Sequence, residues 1–432
     1  MGQFLFVDLQ RRGRPDDRKG SSMEAIIERA AGLDVHQATV VAGVLIGKAA
    51  GRPRKEVRTF GTMTQDLEAL RDWLHGLGVT HVGMESTGVY WMPVHTVLTG
   101  HFTLIVGNAH HIKNVPGRKT DVKDAEWIAD LVRHGLIKAS FVPSVQLREL
   151  RDLLRYRRSL AQTVVSVRNR TLKLLESANI KLASVATDVF GVSGMAMLGA
   201  LAEGDATPDA MAALARGKLR RKRETLAQAL NGRLTENHRF VLRLHIRQLD
   251  RLEADIAELD DRIADKMSPY RKQQKLLTQI PGVDDLAAAN IIAEIGVDMS
   301  VFGTAGRLAA WAGVCPGSHE SAGKRRRAGT RKGNLHLKTT LVMSAMSAAR
   351  TRGSYYRDKY YRLKARCGGV KAAMAIAHKI LIAVFHMLAN DAPFQELGAA
   401  YLDQRSKQRV ARALVRRLDT LGYNVQLELK AA

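Results

Sequence analysis

The spacing of apolar positions changes character along the chain. Between Ala25 and Val106 they come in short runs. These are Ala31-Gly-Leu-Asp-Val35, Thr39-Val-Val-Ala-Gly-Val-Leu-Ile46, Val57 to Phe60, Val79-Thr-His-Val-Gly-Met-Glu85 and His101-Phe-Thr-Leu-Ile-Val106. Short runs rich in β-branched residues predict strands, the first two around a His36-Gln37 turn. After Thr64, Leu67, Leu70, Trp73 and Leu74 share one helical face, and a second helix is predicted near Tyr90 to Leu98. A third follows Gly117, where Ala125, Ile128, Ala129, Leu131 and Val132 recur at helical spacing behind Thr120 as N-cap. From 144 to 182 spacings of three and four persist through Leu153, Tyr156, Leu160, Val164, Val167, Thr171, Leu174 and Ala178. They return in Leu242, Ile246, Leu249, Leu252, Ile256, Leu259 and Ile263, with arginines and acids off the seam as in coiled coils. Beyond them, helices are predicted on both sides of Ile280-Pro-Gly-Val283, from Leu335 to Met343, and from Val370 to Leu388.

Three strands, helix, strand, helix, strand, helix is the order of an RNase H-like domain. The fold class is therefore α/β plus α. The predicted domains are a basic extension over 1–24, an RNase H-like domain over 25–143 and a coiled-coil region with a helical insert over 144–272. An all-helical domain over 273–400 and a basic helical tail over 401–432 complete the chain. The extension carries Arg11-Arg-Gly-Arg-Pro-Asp-Asp-Arg-Lys-Gly, lacks a sustained apolar core for a signal peptide, and is expected to be disordered. Met23 is a possible alternative start.

Charge narrows the partners. The 432 residues hold 67 Lys and Arg against 42 Asp and Glu, a formal net charge of +25. That excess favours a polyanion, nucleic acid above all. No apolar run is read as reaching the roughly 18 residues of a spanning helix, so no membrane partner is expected. Cys315 and Cys367 are the only cysteines. They exclude a disulfide framework and a Cys-rich zinc site, and fit a reducing cytoplasm.

The candidate chemistry is acidic and hydroxylic. Asp121 and Asp124, three residues apart, leave one face of a first helical turn. Taken alone they are ordinary N-terminal carboxylates that favour the helix dipole. Asp34 on the first strand and Glu85 at the end of the fourth change that, because the fold would bring them to the same spot. Four converging carboxylates repel unless cations neutralise them, and hard oxygen donors suit Mg²⁺ or Mn²⁺. Two such ions can assist displacement at a phosphodiester. His36, His110 and His111 are given no role, and Tyr90 and Trp91 are read as packing. In the last domain, Gly282 in the Pro-Gly turn is expected to let helix-terminal amides approach a phosphate, as in a helix-hairpin-helix. Ser321 stands before Lys324, Arg325, Arg326 and Arg327 in a Gly-rich loop that also holds Arg331 and Lys332. A hydroxyl in such a setting can attack phosphorus while the cations hold the developing charge, or can be a plain loop serine beside a phosphate-gripping patch. The run Lys218-Leu-Arg-Arg-Lys-Arg223 fits either nucleic-acid contact or a solvated helix face.

With Gly32-Leu-Asp34, Glu85-Ser-Thr-Gly88, Lys119-Thr-Asp-Val-Lys-Asp124 and Trp311-Ala-Gly-Val-Cys-Pro316 in that order, the chain resembles the DEDD-type transposases of bacterial insertion sequences. These are bridge-RNA-guided serine recombinases, and the resemblance spans about residues 28 to 395. It implies a RuvC-like domain with its four acids at Asp34, Glu85, Asp121 and Asp124, and a nucleophilic serine at Ser321 that forms a phosphoserine with DNA. It also implies Mg²⁺ on the acids, contacts to nucleic acid through Lys119 and the basic loop, and a structured guide RNA that pairs with donor and target DNA, as in other RNA-guided systems. A homo-oligomer, dimer to tetramer, would assemble on nucleic acid in the bacterial cytoplasm. Two departures stand out: Ala322 separates Ser321 from Gly323, and Thr330 replaces a second loop serine. Ser318 is the fallback nucleophile. A RuvC-like junction resolvase accounts for the acids but needs no serine. A non-catalytic scaffold leaves the acids idle, and an actin-like sugar kinase would need phosphate-binding glycines that the chain lacks.

Overall fold

The computed structural model describes residues 24–426, apart from 50, 87, 110–111, 113–123, 318–319, 322, 326–328, 331 and 406. Nearly all of the expected N-terminal extension therefore lies outside the described residues. The chain divides into two compact units, residues 1–142 and 143–432.

The first unit is built on five strands: β1 (Arg29–Val35), β2 (Thr39–Ile46), β3 (Arg54–Gly61), β4 (His81–Glu85) and β5 (Thr103–Gly107). Their spatial order is β3-β2-β1-β4-β5. The first three strands pair antiparallel, whereas β4 and β5 join β1 in parallel. Because successive side chains point to opposite faces, Ala31 and Leu33 enter one core and Ala30, Gly32 and Asp34 face the other way. The first face packs Val40, Ala42, Val82 and Met84 against Leu67, Leu70 and Leu74 of the Thr64–Gly76 helix and Val94 and Leu98 of the Trp91–Leu98 helix. Trp91 joins that packing, while Tyr90 stays 44% exposed. The second face receives Ile128, Leu131 and Val132 from the Asp124–Arg133 helix. The buried Arg133 ties the end of that helix to β2 through Gly47 O at 3.1 Å and Lys48 O at 2.6 Å. The third strand spans Arg54–Gly61, longer than the apolar run around Val57 suggests, because its outer positions are solvated polar residues.

In the second unit, the helices Val145–Ser177 and Glu236–Lys266 form an antiparallel hairpin. Ser144 and Thr235 cap their N-termini by accepting from Leu147 N and His238 N. Leu160, Val164, Val167, Leu249 and Leu252 fill the seam. Ion pairs from Lys266 to Glu149 at 2.6 Å and from Arg168 to Glu253 at 3.1 Å fix its register. The insert between them folds on its own core, with Leu182, Met197, Leu198, Leu226 and Leu230 packed against Leu175 and Leu242 of the hairpin.

The C-terminal part is helical, with one exception. Around Ser321 the expectation was a Gly-rich loop, but β6 (Glu320–Ser321) pairs with β7 (Lys324–Arg325) as a β-hairpin. The apolar helix Gly369–Asn390 also departs from expectation. At 22 residues it is long and apolar enough to cross a membrane by length and composition. Half of its most apolar stretch is buried within the fold, where Ile376, Ile380, Leu381 and Val384 serve as core.

Candidate active site

The acidic site is organised by glycines. Gly43, Gly32 and Gly83 stand side by side on β2, β1 and β4 in one transverse row. A Cβ on Gly32 would lie 2.2 Å from both Ala125 O and Ala129 N. One on Gly43 would lie 3.0 Å from Glu126 N, and one on Gly83 2.3 Å from the Val132 Cγ2 methyl. Three missing side chains therefore let the Asp124–Arg133 helix lie directly on the strands. Asp34 is two residues beyond Gly32 and Glu85 two beyond Gly83, so both belong to the helix-covered face. The parallel ladder pairs Leu33 with Met84, so Asp34 and Glu85 follow one step later on adjacent strands. Asp124 opens the helix above them and is exposed.

These are hard oxygen donors of the kind that fit Mg²⁺ or Mn²⁺. Asp121 and Lys119 lie outside the described residues. Among the described residues no three His, Cys, Asp or Glu side chains form a ready metal-binding group. Asp34 and Glu85 on the strand pair and Asp124 at the helix start are therefore not gathered into one such group here. His36, given no role above, places Nε2 3.1 Å from Asp34 Oδ2. The sequence signal was its i+2 spacing from Asp34, which puts both side chains on one face at the strand end.

The serine site is a hairpin tip. Ser321 pairs directly with Lys324, and Gly323 is a turn residue between them. Gly323 has φ +73°, a conformation that glycine adopts without steric cost. Gly323 thus sits at a positive-φ position between the two short strands. The stem continues through the Pro316–Thr330 bridge and a 2.8 Å bond from Gly317 N to Gly329 O. Lys338 Nζ donates to the Thr330 hydroxyl at 2.8 Å, and Lys332 is exposed. Ser318, Arg326, Arg327 and Arg331 lie outside the described residues.

Gly282 has a packing role that the sequence did not reveal. The Arg271–Leu277 and Asp285–Ile295 helices do flank its turn, and its φ is +85°. Yet a Cβ there would meet Ser344 O at 2.3 Å and Ala348 N at 2.5 Å, so the glycine serves close packing on the Leu335–Ala348 helix. The following helix start is also less open to an anion than the turn suggests. Asp284 Oδ1 already accepts from Ala287 N at 2.8 Å, and Asp285 adds a second carboxylate that would repel an anion.

A buried carboxylate missed by sequence reasoning, Glu294, joins three helices. Glu294, 3% exposed, accepts from Arg155 Nε and Nη2 at 2.8 and 2.9 Å. Arg151 Nε lies 3.2 Å from the same carboxylate and Arg151 Nη2 donates to Glu294 O at 2.8 Å. Asn334 Nδ2 donates to Glu294 Oε2 at 2.6 Å, while Asn334 Oδ1 caps the Leu335–Ala348 helix through Leu337 N. Burial pushes the Glu294 carboxyl up, but the Arg155 bonds, the Arg151 charge and the Asn334 bond outweigh it and hold it below its ordinary value. Burial lowers Arg151, which remains a cation. The Val145–Ser177 helix, the Asp285–Ile295 helix and the Leu335–Ala348 helix thus meet at one carboxylate. One residue before Pro316, Cys315 Sγ lies 3.6 Å from His378 Nδ1.

Comparison with known proteins shows which family the chain resembles. Residues 31–180 match a DEDD-type IS110 transposase family, and residues 274–362 match the family described as transposase IS116/IS110/IS902. The insertion element IS900 uncharacterized 42 kDa protein of Mycobacterium paratuberculosis is 26% identical over 331 residues, covering 67% of this chain and 80% of that protein. The insertion element IS116 uncharacterized 44.8 kDa protein of Streptomyces clavuligerus is 25% identical over 330 residues, covering 66% and 78%.

Proposed function

Because the chain belongs to the DEDD-type, IS110-family transposases of insertion sequences, we propose that it moves DNA by strand exchange through a phosphoserine at Ser321. The observation that carries this reading is the serine's position, beside a turn and directly across from Lys324. The Ser321 hydroxyl attacks phosphorus, its Oγ–P bond forming as the bond to the departing sugar oxygen breaks. The serine's proton passes through a base to that oxygen, which leaves as a free hydroxyl. In the second half, a sugar hydroxyl of the partner strand attacks the phosphoserine, restoring both a phosphodiester and the serine. No bond energy is lost overall, so no external energy source is required. Lys324 and Arg325, with Arg326, Arg327, Arg331 and Lys332, balance the charge that builds on the phosphoryl oxygens.

Asp34, Glu85, Asp121 and Asp124 would hold Mg²⁺ or Mn²⁺, which supplies charge neutralisation and Lewis-acid stabilisation at the phosphodiester. His36 orients the Asp34 carboxylate through their 3.1 Å contact. The acids lie in the first unit and the serine in the second, and the proposed exchange uses both. Tyr156, Val165 and Phe240, each more than half exposed along the long hairpin, support a homo-oligomer, dimer to tetramer. Guide RNA that pairs with donor and target DNA would supply sequence choice, consistent with the +25 net charge.

The test is a denaturing gel with labelled donor DNA and wild-type, Ser321→Ala and Ser318→Ala proteins. Ser321→Ala should keep DNA and RNA binding and lose both strand exchange and the covalent adduct. An adduct lost only in Ser318→Ala would move the nucleophile there. Metal-dependent cleavage with no adduct in any protein would favour a RuvC-like nuclease instead.

A further inference from the structure

The Tyr355–Cys367 helix, Tyr-Tyr-Arg-Asp-Lys-Tyr-Tyr-Arg-Leu-Lys-Ala-Arg-Cys, has two unlike sides. One buries Tyr356 and Tyr360 in the fold. The other leaves Tyr361 50% exposed, with the Arg357 guanidinium 5.7 Å and the Lys364 ammonium 5.8 Å from its ring centroid. Nearer the helix start, Lys359 Nζ lies 5.6 Å from the Tyr355 ring. From Arg350 to Lys371 the sequence holds eight lysines and arginines and a single carboxylate, Asp358. That carboxylate is already taken by Arg362, which also reaches Asp403. Among the described residues, Arg357, Lys359, Lys364 and Arg366 therefore have no carboxylate partner. A solvated surface helix usually interleaves both signs, and this one does not.

We infer that this face is a stacking platform for unpaired nucleotides, Tyr361 receiving a base and Lys364 and Arg366 the flanking phosphates. A half-exposed ring leaves apolar surface in water, and neighbouring cations draw a phosphate backbone to that place. Stacking is indifferent to sequence because every base has a π-face. It does require that the base be out of a duplex, where its faces are already covered. A single-stranded segment, of DNA or RNA, therefore fits this surface better than a double helix. The inference rests on the proposal that the protein handles nucleic acid, and adds which strand state this surface holds.

The experiment is fluorescence anisotropy on the full chain with three labelled mixed-sequence probes: a DNA single strand, the same DNA as a duplex, and an RNA single strand. Tyr361→Ala should weaken binding of the single-stranded probes about tenfold and of the duplex less than twofold. Tyr361→Phe should retain wild-type affinity, because the ring and not the hydroxyl stacks. Lys364→Gln should weaken all three probes and reduce the salt slope by about one. Thermal melting of each variant separates misfolding from lost contact. Equal losses on single strand and duplex, or no loss in Tyr361→Ala, overturn the platform. The DNA and RNA arms decide which strand it serves. A wild-type chain that binds none of the probes overturns the functional reading itself, whereas binding by wild type that Tyr361→Ala leaves intact overturns only this inference.

Discussion

At Gly32 a single methyl group would fall 2.2 Å from the backbone of the helix that covers the acids. Neither Ala125 O nor Ala129 N can swing aside as a flexible side chain could, so the helix must lift or tilt. Gly32→Ala is expected to destabilise the first unit by about 1–3 kcal/mol, as overpacking does. It should also weaken strand exchange by moving the helix that carries Asp124 relative to the strands that carry Asp34 and Glu85. Thermal melting and the exchange assay check this, with Gly76→Ala as control. Nothing lies within 4 Å of that Cβ position, so melting should be unchanged or slightly raised. Loss of activity in both variants, or in neither, would remove the glycine row from the argument. At the same scale, Gly323 and Gly282 share positive φ for different reasons. The first closes a turn over open space, and the second lets two backbones touch.

Among the elements, the Val145–Ser177 helix carries the most consequential contact, because Arg151 and Arg155 reach Glu294 in the Asp285–Ile295 helix. Removing one member of a buried ionic cluster leaves the others charged and unpaired, which costs about 3–5 kcal/mol. Glu294→Gln should fall toward the lower end, since the Arg155 side chain is 35% exposed and can recover water. Urea unfolding measures it. The pH dependence has a definite sign. The folded Glu294 carboxyl titrates below its ordinary 4.5, so its contribution is complete above that value and is lost as pH falls through the lower folded one. The acid limb of stability against pH should therefore be shallower in Glu294→Gln. An unchanged limb would mean that the cluster does not couple to folding. Through Asn334, the same variant should slow exchange while leaving nucleic-acid affinity in place.

For the whole molecule, the +25 charge is the dominant physical fact. Each phosphate neutralised by Lys or Arg releases counterions, so affinity for nucleic acid should fall linearly in log–log terms as salt rises. For six to ten phosphate contacts, the fall between 50 and 200 mM is about 10³–10⁵-fold. Equilibrium titration with the element's RNA checks this, and a flat response would contradict it, as would full strand exchange without RNA. The division into two units matters here too, since the acids belong to one and the serine to the other.

The order of strands and helices was legible in the sequence because period two and period 3.6 are local properties. So was the likelihood that Asp34 and Glu85 share a face, since parity along a strand needs no knowledge of neighbours. The long hairpin was legible for the same reason, its seam repeating over many turns. Tertiary structure alone decided the rest. Glu294 reads as an ordinary helix acid in Asn290-Ile-Ile-Ala-Glu-Ile295, because its arginine partners lie 139 and 143 residues away. The serine hairpin hid in a run of glycines and arginines, because pairing Pro316 with Thr330 is a matter of register between two segments. Gly32, Gly43 and Gly83 looked like weak points in three separate strands until the sheet aligned them into one bed for a helix. Periodicity records which way a side chain points. What it meets there depends on which distant surface packs against it, and that is settled only when the chain folds.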